Sequence, residues 1–286
     1  MKNKRLQKIL WLINRSILLD LKLFSRCTRI SCANKIAVFL KKYFLMVKHT
    51  FVKFELGKDY ASLMGQSVYY NNGLASYAGY QAVLVEHMYW FEQLELSDHP
   101  VLVDAGANVG YVSMAFSNNF DNSSVYALEP AQRIYKVLKK NVSGFKNIKP
   151  FCLGLGNSNN KVDLYVDKKE SAFSSVKHIL SNEFDTEKIQ IKTLDMFCQE
   201  QKIEKIDILK IDVEGYELEV LTGAKNTLKK VKYLHIEANT KDYLFSDLCR
   251  TISACGVNYN LKFIRNFSNV SDSLFRDGDI LFEIFG

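Results

Sequence analysis

Val101-Leu102-Val103-Asp104 is a short apolar run that ends in a turn carrying two glycines, Gly106 and Gly110. Directly after the turn, Tyr111, Met114, Ala115 and Phe116 recur at helical spacing. A second strand-like run, Ser124 to Leu128, closes on Glu129, nineteen residues beyond Gly110. A strand, a glycine turn, a helix start and an acid on the next strand leave few folds open. They are the parts of a parallel α/β sheet that holds a ribose-bearing ligand at the carboxyl edge of its strands. The glycines let backbone approach the ligand, and the carboxylate accepts hydrogen bonds from two ribose hydroxyls.

The spacing argues against a dinucleotide. That fingerprint is G-x-G-x-x-G, and from Gly106 onward its second and third glycines are replaced by Asn108 and Tyr111. The pattern D-x-G-x-N-x-G instead looks like the first motif of class I S-adenosylmethionine (SAM) methyltransferases. Further on, Ile206-Asp207-Ile208-Leu209-Lys210-Ile211-Asp212-Val213-Glu214-Gly215-Tyr216-Glu217 is an apolar strand running into an acidic turn and a helix. The ordered set DAGANVG, ALEP, TLD, LKIDVEGYE, VLTGA and HIEAN closely resembles the FkbM family of SAM-dependent O-methyltransferases. The resemblance covers roughly residues 98–240.

It implies a Rossmann-like α/β fold with a seven-stranded, mostly parallel sheet and an antiparallel edge strand. It also implies SAM as methyl donor and a hydroxyl of a small molecule as acceptor, a sugar, glycan or secondary metabolite. On this basis Asp104, Gly106, Asn108, Gly110, Glu129 and Asp212 are expected to bind the cofactor. Asp104 should fix the loop and face the amino group, and Glu129 should take the ribose. Residue 156 or 157 should pass near the adenine. Removing the acceptor's proton needs a carboxylate, a His or a metal. Asp212, Glu214 and Glu237 are the candidates for catalysis, with His235 a weaker one on the same strand face as Glu237. A magnesium ion held by these acids stays open. Glu214 and Glu217 also suit the first turn of a helix, where the dipole favours acids. Lys210, in an otherwise apolar central strand, needs an acidic partner among Asp104, Asp212 and Glu237.

Periodicity places strands at about 101–104, 124–128, 148–154, 189–192, 206–211, 231–237, 259–264 and 279–285. Helices are expected over about 3–53, 82–94, 110–118, 131–142, 216–229 and 242–255. A polar hairpin near Asn157–Asn160 should have residues 162–166 as its second arm. Alternating strands and helices mean a parallel sheet covered on both faces, and the last two strands, with no helix between them, make the antiparallel edge. Two regions follow: a helical extension over residues 1–60 and a catalytic domain over 61–286. The loop Lys168 to Glu183, with Ser171, Ser174, Ser175 and His178, is expected to cover the acceptor.

Charge divides the chain in the same way. Residues 1–53 hold thirteen Lys or Arg and one acid, Asp20, whereas the remainder holds twenty-five bases and thirty acids. Ile9, Leu10, Ile13, Ile17 and Leu21 recur at helical spacing among these bases, and no run reaches 18 uncharged apolar residues. This pattern fits either an amphipathic segment on an anionic membrane surface or a helix pair packed on the enzyme. The six cysteines include no C-x-x-C pair, which argues against zinc and fits a reducing cytoplasm. Two other classes stay open. An RNA methyltransferase is suggested by the basic N-terminus, but the acidic catalytic region would repel phosphates. A non-catalytic interaction module would not need Gly106, Gly110, Glu129 and Asp212 together.

Overall fold

A computed structural model describes residues 93–167, 174–176, 184–239, 245–266 and 277–285, the segments 60–63 and 66–69, isolated positions between 17 and 44, and Phe91. The expected helix at 82–94 lies outside the described residues except at its end. So do Ser171 and His178.

The chain forms two compact units, Met1–Glu95 and Leu96–Gly286. The sequence reading put this boundary near residue 60. The described part of residues 60–69 is an antiparallel hairpin, β1 (Tyr60–Leu63) with β2 (Gln66–Tyr69), whose strands pair only with each other. The hairpin falls in the first unit. Ile17, Leu21, Ile36, Phe39, Leu40 and Phe44 are helical and exposed. Among the described residues, no helix is long and apolar enough to cross a membrane.

In the second unit, β3 (Val101–Ala105), β4 (Ser124–Leu128), β5 (Ile148–Phe151), β10 (Ile206–Ile211) and β11 (Val231–Asn239) lie parallel. The antiparallel strands β12 (Asn258–Asn266) and β13 (Asp277–Phe285) complete a seven-stranded sheet in the order β12-β13-β11-β10-β3-β4-β5. Every residue of β10 is buried. Burial on both faces is what a central parallel strand requires and why its sequence reads as a nearly continuous apolar run. Helices α1 (Tyr111–Asn119), α2 (Gln132–Asn141), α3 (Leu194–Gln201), α4 (Glu217–Thr222) and α5 (Phe245–Ala254) supply the connections.

Three expectations need correction. The strand foreseen over 148–154 is two strands. β5 ends at Phe151, and β6 (Gly154–Leu155) pairs with β9 (Phe184–Lys192) in a second, four-stranded sheet, β6-β9-β7-β8. There β9 lies between β6 and β7 (Asn160–Asp167), so the expected hairpin arms do not pair with each other; β8 is Ser174–Ser175. The helix foreseen over 216–229 stops at Thr222. Gly223 then runs so close to Gly156 that a side chain there would lie 2.0 Å from the Gly156 carbonyl oxygen. Helix α3 was not foreseen. Thr193 starts it by accepting a hydrogen bond from the Met196 amide at 3.2 Å, a common helix start.

Candidate active site

The sheet order turns at β3 and β10, whose chains leave in opposite directions. The crevice beyond this point is where α/β sheets hold ligands. After β3, the amides of Gly106 and Ala107 both donate to the Leu128 carbonyl, at 3.0 and 2.9 Å, so the loop folds over the end of β4. Gly106 has a left-handed φ of +78°, and a Cβ there would lie 1.7 Å from the Asp212 carbonyl oxygen. Only glycine lets the two strand ends approach this closely. Asn108 (φ 51°) and Gly110 (φ 93°) continue the left-handed turn into α1.

Glu129 is the acid of this half. It is 6% exposed. Its Oε2 accepts from the Asn108 amide at 3.0 Å and its Oε1 from the Ala131 amide at 2.9 Å. Burial raises its pKa to about 7 against the lowering effect of these two amides, with Asp212 and Asp104 adding to the rise.

The other half is built on β10. Lys210 is buried, with its Nζ 3.1 Å from Asp212 Oδ2 and 3.3 Å from Asp104 Oδ1. Burial opposes the ammonium charge, but Asp212 and Asp104 outweigh it and raise the pKa above the ordinary value. The partners foreseen for Lys210 are thus two of the three named. The turn after Asp212 carries Glu214 at φ 52°, and it is held from below by Glu217. Glu217 Oε1 accepts from the amides of Val213 and Gly215 at 3.2 and 3.1 Å. Burial raises the Glu217 pKa to about 7, against three backbone hydrogen bonds that lower it, with Asp212 adding to the rise.

Between the halves lies a cleft of about 710 Å³ including its open mouth. Gly106, Asn108, Glu129, Asp212 and Glu214 line its polar part. The second sheet supplies apolar walls through Leu155, Leu164, Ile189 and Ile191.

Residues 104–259 match the model of the methyltransferase FkbM domain. The chain belongs to this family. It is 27% identical over 175 residues to methyltransferase sdnD of Sordaria araneosa, covering 50% of this chain and 67% of that protein. It is 26% identical over 157 residues to the 2-O-methyltransferase NoeI of Sinorhizobium fredii, covering 50% and 65%. It is 30% identical over 146 residues to the hexuronic acid methyltransferase AglP of Haloferax volcanii, covering 50% and 57%. The chain therefore spans about three fifths to two thirds of the length of these relatives. A solved FkbM methyltransferase from Methylobacillus flagellatus KT is 16% identical with a TM-score of 0.47, covering 72% of this chain and 54% of that one.

Several FkbM-domain motif residues lie outside the cleft. Asp104 was expected to face a cofactor amino group. It is fully buried behind the sheet edge, where its Oδ2 accepts from Ser113 Oγ at 2.6 Å and its Oδ1 meets Lys210. Gly110 packs on Leu138 and serves the turn. Gly156 meets Tyr216 and Ile191, while Leu153, Gly154 and Leu155 are the residues of that segment on the cleft. Asp195 of the TLD motif is structural. It accepts from the amides of Asn226 and Thr227, at 3.1 and 2.7 Å, and so ties α3 to the segment after VLTGA. Glu237 is on β11, off the cleft lining and paired in register with Asp279. Its carboxyl makes no hydrogen bond or ion pair with the described residues. Its pKa is well above the ordinary value because of Asp212 first, then burial, then Asp279. His235 lies 3.2 Å from Asp279 Oδ1. Sequence reasoning missed Asp279 and the apolar wall from β7 and β9. For Asp279 the only signal was an acid within an apolar strand.

Proposed function

We propose that this FkbM-domain protein transfers a methyl group from SAM to a hydroxyl of an uncharged sugar or similar polyol. The observation that carries the reading is the cleft itself. One side presents glycine backbone and a buried, amide-held Glu129, and the other the acidic turn of Asp212 and Glu214. These residues fit SAM. Glu129 would take the ribose hydroxyls, the Gly106–Asn108 turn the methionine end, and Leu155, Ile189 and Ile191 the adenine. When bound, SAM supplies an electrophilic methyl on a sulfonium, which leaves as a neutral thioether once the new O–CH₃ bond has formed.

The remaining work belongs to the chain. Alignment supplies much of the rate for so reactive a donor. The acceptor's proton must also go to a base. Asp212 is tied to Lys210 and serves best as an anchor of the turn. Among the described residues the Glu237 carboxyl makes no hydrogen bond, its proton affinity is raised, and we assign the base to it.

Relatives named for a 2-O-methyl transfer and for hexuronic acid support a sugar acceptor. The acids Asp212, Glu214, Glu237 and Asp279 favour an uncharged one, because like charges at short range in a poorly solvated site repel strongly. The same charge argues against RNA. For residues 1–53 we infer contact with an anionic membrane surface, supported by the thirteen bases and by exposed apolar helical positions such as Ile36, Leu40 and Phe44. Incubating the full chain with methyl-labelled SAM and a panel of neutral glycans, uronic-acid glycans and RNA tests the main reading. Label on neutral glycans is expected, and label confined to RNA or uronic acids would contradict it.

A further inference from the structure

Six ionisable residues gather around one patch of the sheet. Lys210 is in register with Asp104 on one side and His235 on the other. Glu237, two residues beyond His235, is in register with Asp279 of β13. Register partners share a face of the sheet, as do residues two apart on a strand. Asp104, Lys210, His235, Glu237 and Asp279 thus share one face, and Asp212 reaches it through its ion pair with Lys210.

Within this patch Asp279 is a buried acid. It is 3% exposed and sits in the apolar run of β13, where an uncompensated carboxylate is costly. His235, itself 1% exposed, lies 3.2 Å from its Oδ1. The pair has no place in the cofactor cleft. It does lie beside Glu237, the register partner of Asp279, whose carboxyl has no hydrogen bond among the described residues.

We propose that Asp279, clamped by His235, is a positioning residue that keeps Glu237 a strong proton acceptor. An ordinary carboxylate is a weak base towards an alcohol. A second carboxylate beside it strengthens it, because the two cannot comfortably be ionised together. This inference rests on the reading of Glu237 as the base. The groups acting on Glu237 are Lys210 from β10, Asp212 and Glu214 from the following turn and Asp279 from β13, and Lys210 alone opposes the others. His235 is on its own strand, and Arg265 of β12 is the register partner of Asp279.

The test needs no acceptor. The full-length protein is labelled with ¹³C at the glutamate side-chain carboxyl carbons and titrated by NMR, with Glu237→Gln assigning the resonance. Asp279→Asn is expected to lower the Glu237 titration midpoint by about one pH unit or more, the scale of one close like charge. Asp279→Ser replaces it if the Asn variant does not fold. A midpoint unmoved or raised in a folded variant overturns the proposal and leaves Asp279 a structural partner of His235. Turnover separates this from failure of the underlying reading. If Glu237→Gln still transfers methyl groups to a neutral glycan, Glu237 is not the base, whatever Asp279 does to its titration.

Discussion

Glu129 and Glu237 are the same residue at the carboxyl ends of two parallel strands of one sheet, and their surroundings differ. Glu129 is enclosed by backbone, with one amide on each oxygen. Its orientation is fixed before any ligand arrives, as a binding group needs. The charges that act on Glu237 are mostly of its own sign. Among the described residues its carboxyl has no hydrogen bond, and it holds a proton strongly, which suits proton transfer. The comparison teaches that the role of an acid on this edge follows from its partners.

The largest effect that can break the comparison is on turnover. Glu237→Gln keeps the shape but cannot accept a proton, so methyl transfer to a neutral glycan should fall at least about a hundredfold. Steady-state rates with labelled SAM measure this, and activity near the wild-type level would remove the distinction.

The next effect is on pH. The Glu129 pKa is raised to about 7, so the acid is protonated below that and loses acceptor capacity for ribose hydroxyls. SAM affinity should be constant above pH 8 and fall below 7, by up to about tenfold per unit. Calorimetry between pH 5.5 and 8.5 checks this, and the decline should vanish in Glu129→Gln.

A smaller effect should appear in stability. The folded-state pKa of Glu217 is about 7, above its unfolded value. A raised acid binds its proton more tightly when folded, so stability present at low pH is lost as pH rises through the folded pKa. Glu217→Gln still accepts the two amides of the turn and should flatten this loss, a change of order 1–3 kcal/mol between pH 5 and 7.5. Denaturant unfolding at several pH values measures it, and an unchanged slope would mean that Glu217 does not titrate there.

The weakest expected effect concerns the N-terminal segment. The full chain should co-sediment with vesicles containing anionic lipid and should release in high salt, since each engaged base contributes only about 1 kcal/mol. Equal sedimentation with neutral vesicles would argue against charge as the cause.

Much of the sheet and of the glycine-turn side of the cleft was legible in the sequence because both are local. An apolar run, a glycine turn and an acid at the next strand end specify strand, loop and register within thirty residues. Asp207 shows where this stops. Its carboxylate ties the Ser97 and Val101 amides across more than a hundred residues, at 2.8 and 2.9 Å, and nothing in its own motif reveals them. The second sheet was misread for the same reason, since β9 inserts between two segments that look like a local hairpin. The motif of Asp104 gives its position at a strand end but not the Lys210 and Ser113 that hold its carboxyl. Asp279 was missed because its role depends on antiparallel pairing with Glu237, some forty residues upstream.

The central claim is that binding and proton transfer reside in different acids of one edge. It is tested most directly by measuring SAM affinity by calorimetry in the wild type, Glu129→Ala and Glu237→Gln under one condition. Glu129→Ala removes charge-assisted hydrogen bonds worth about 2–3 kcal/mol and should weaken SAM by one to two orders of magnitude. Glu237→Gln should bind SAM within about threefold of the wild type, since Glu237 lies off the cleft lining and each tenfold would require about 1.4 kcal/mol. Equal losses in the two variants, or full affinity in Glu129→Ala, would contradict the account.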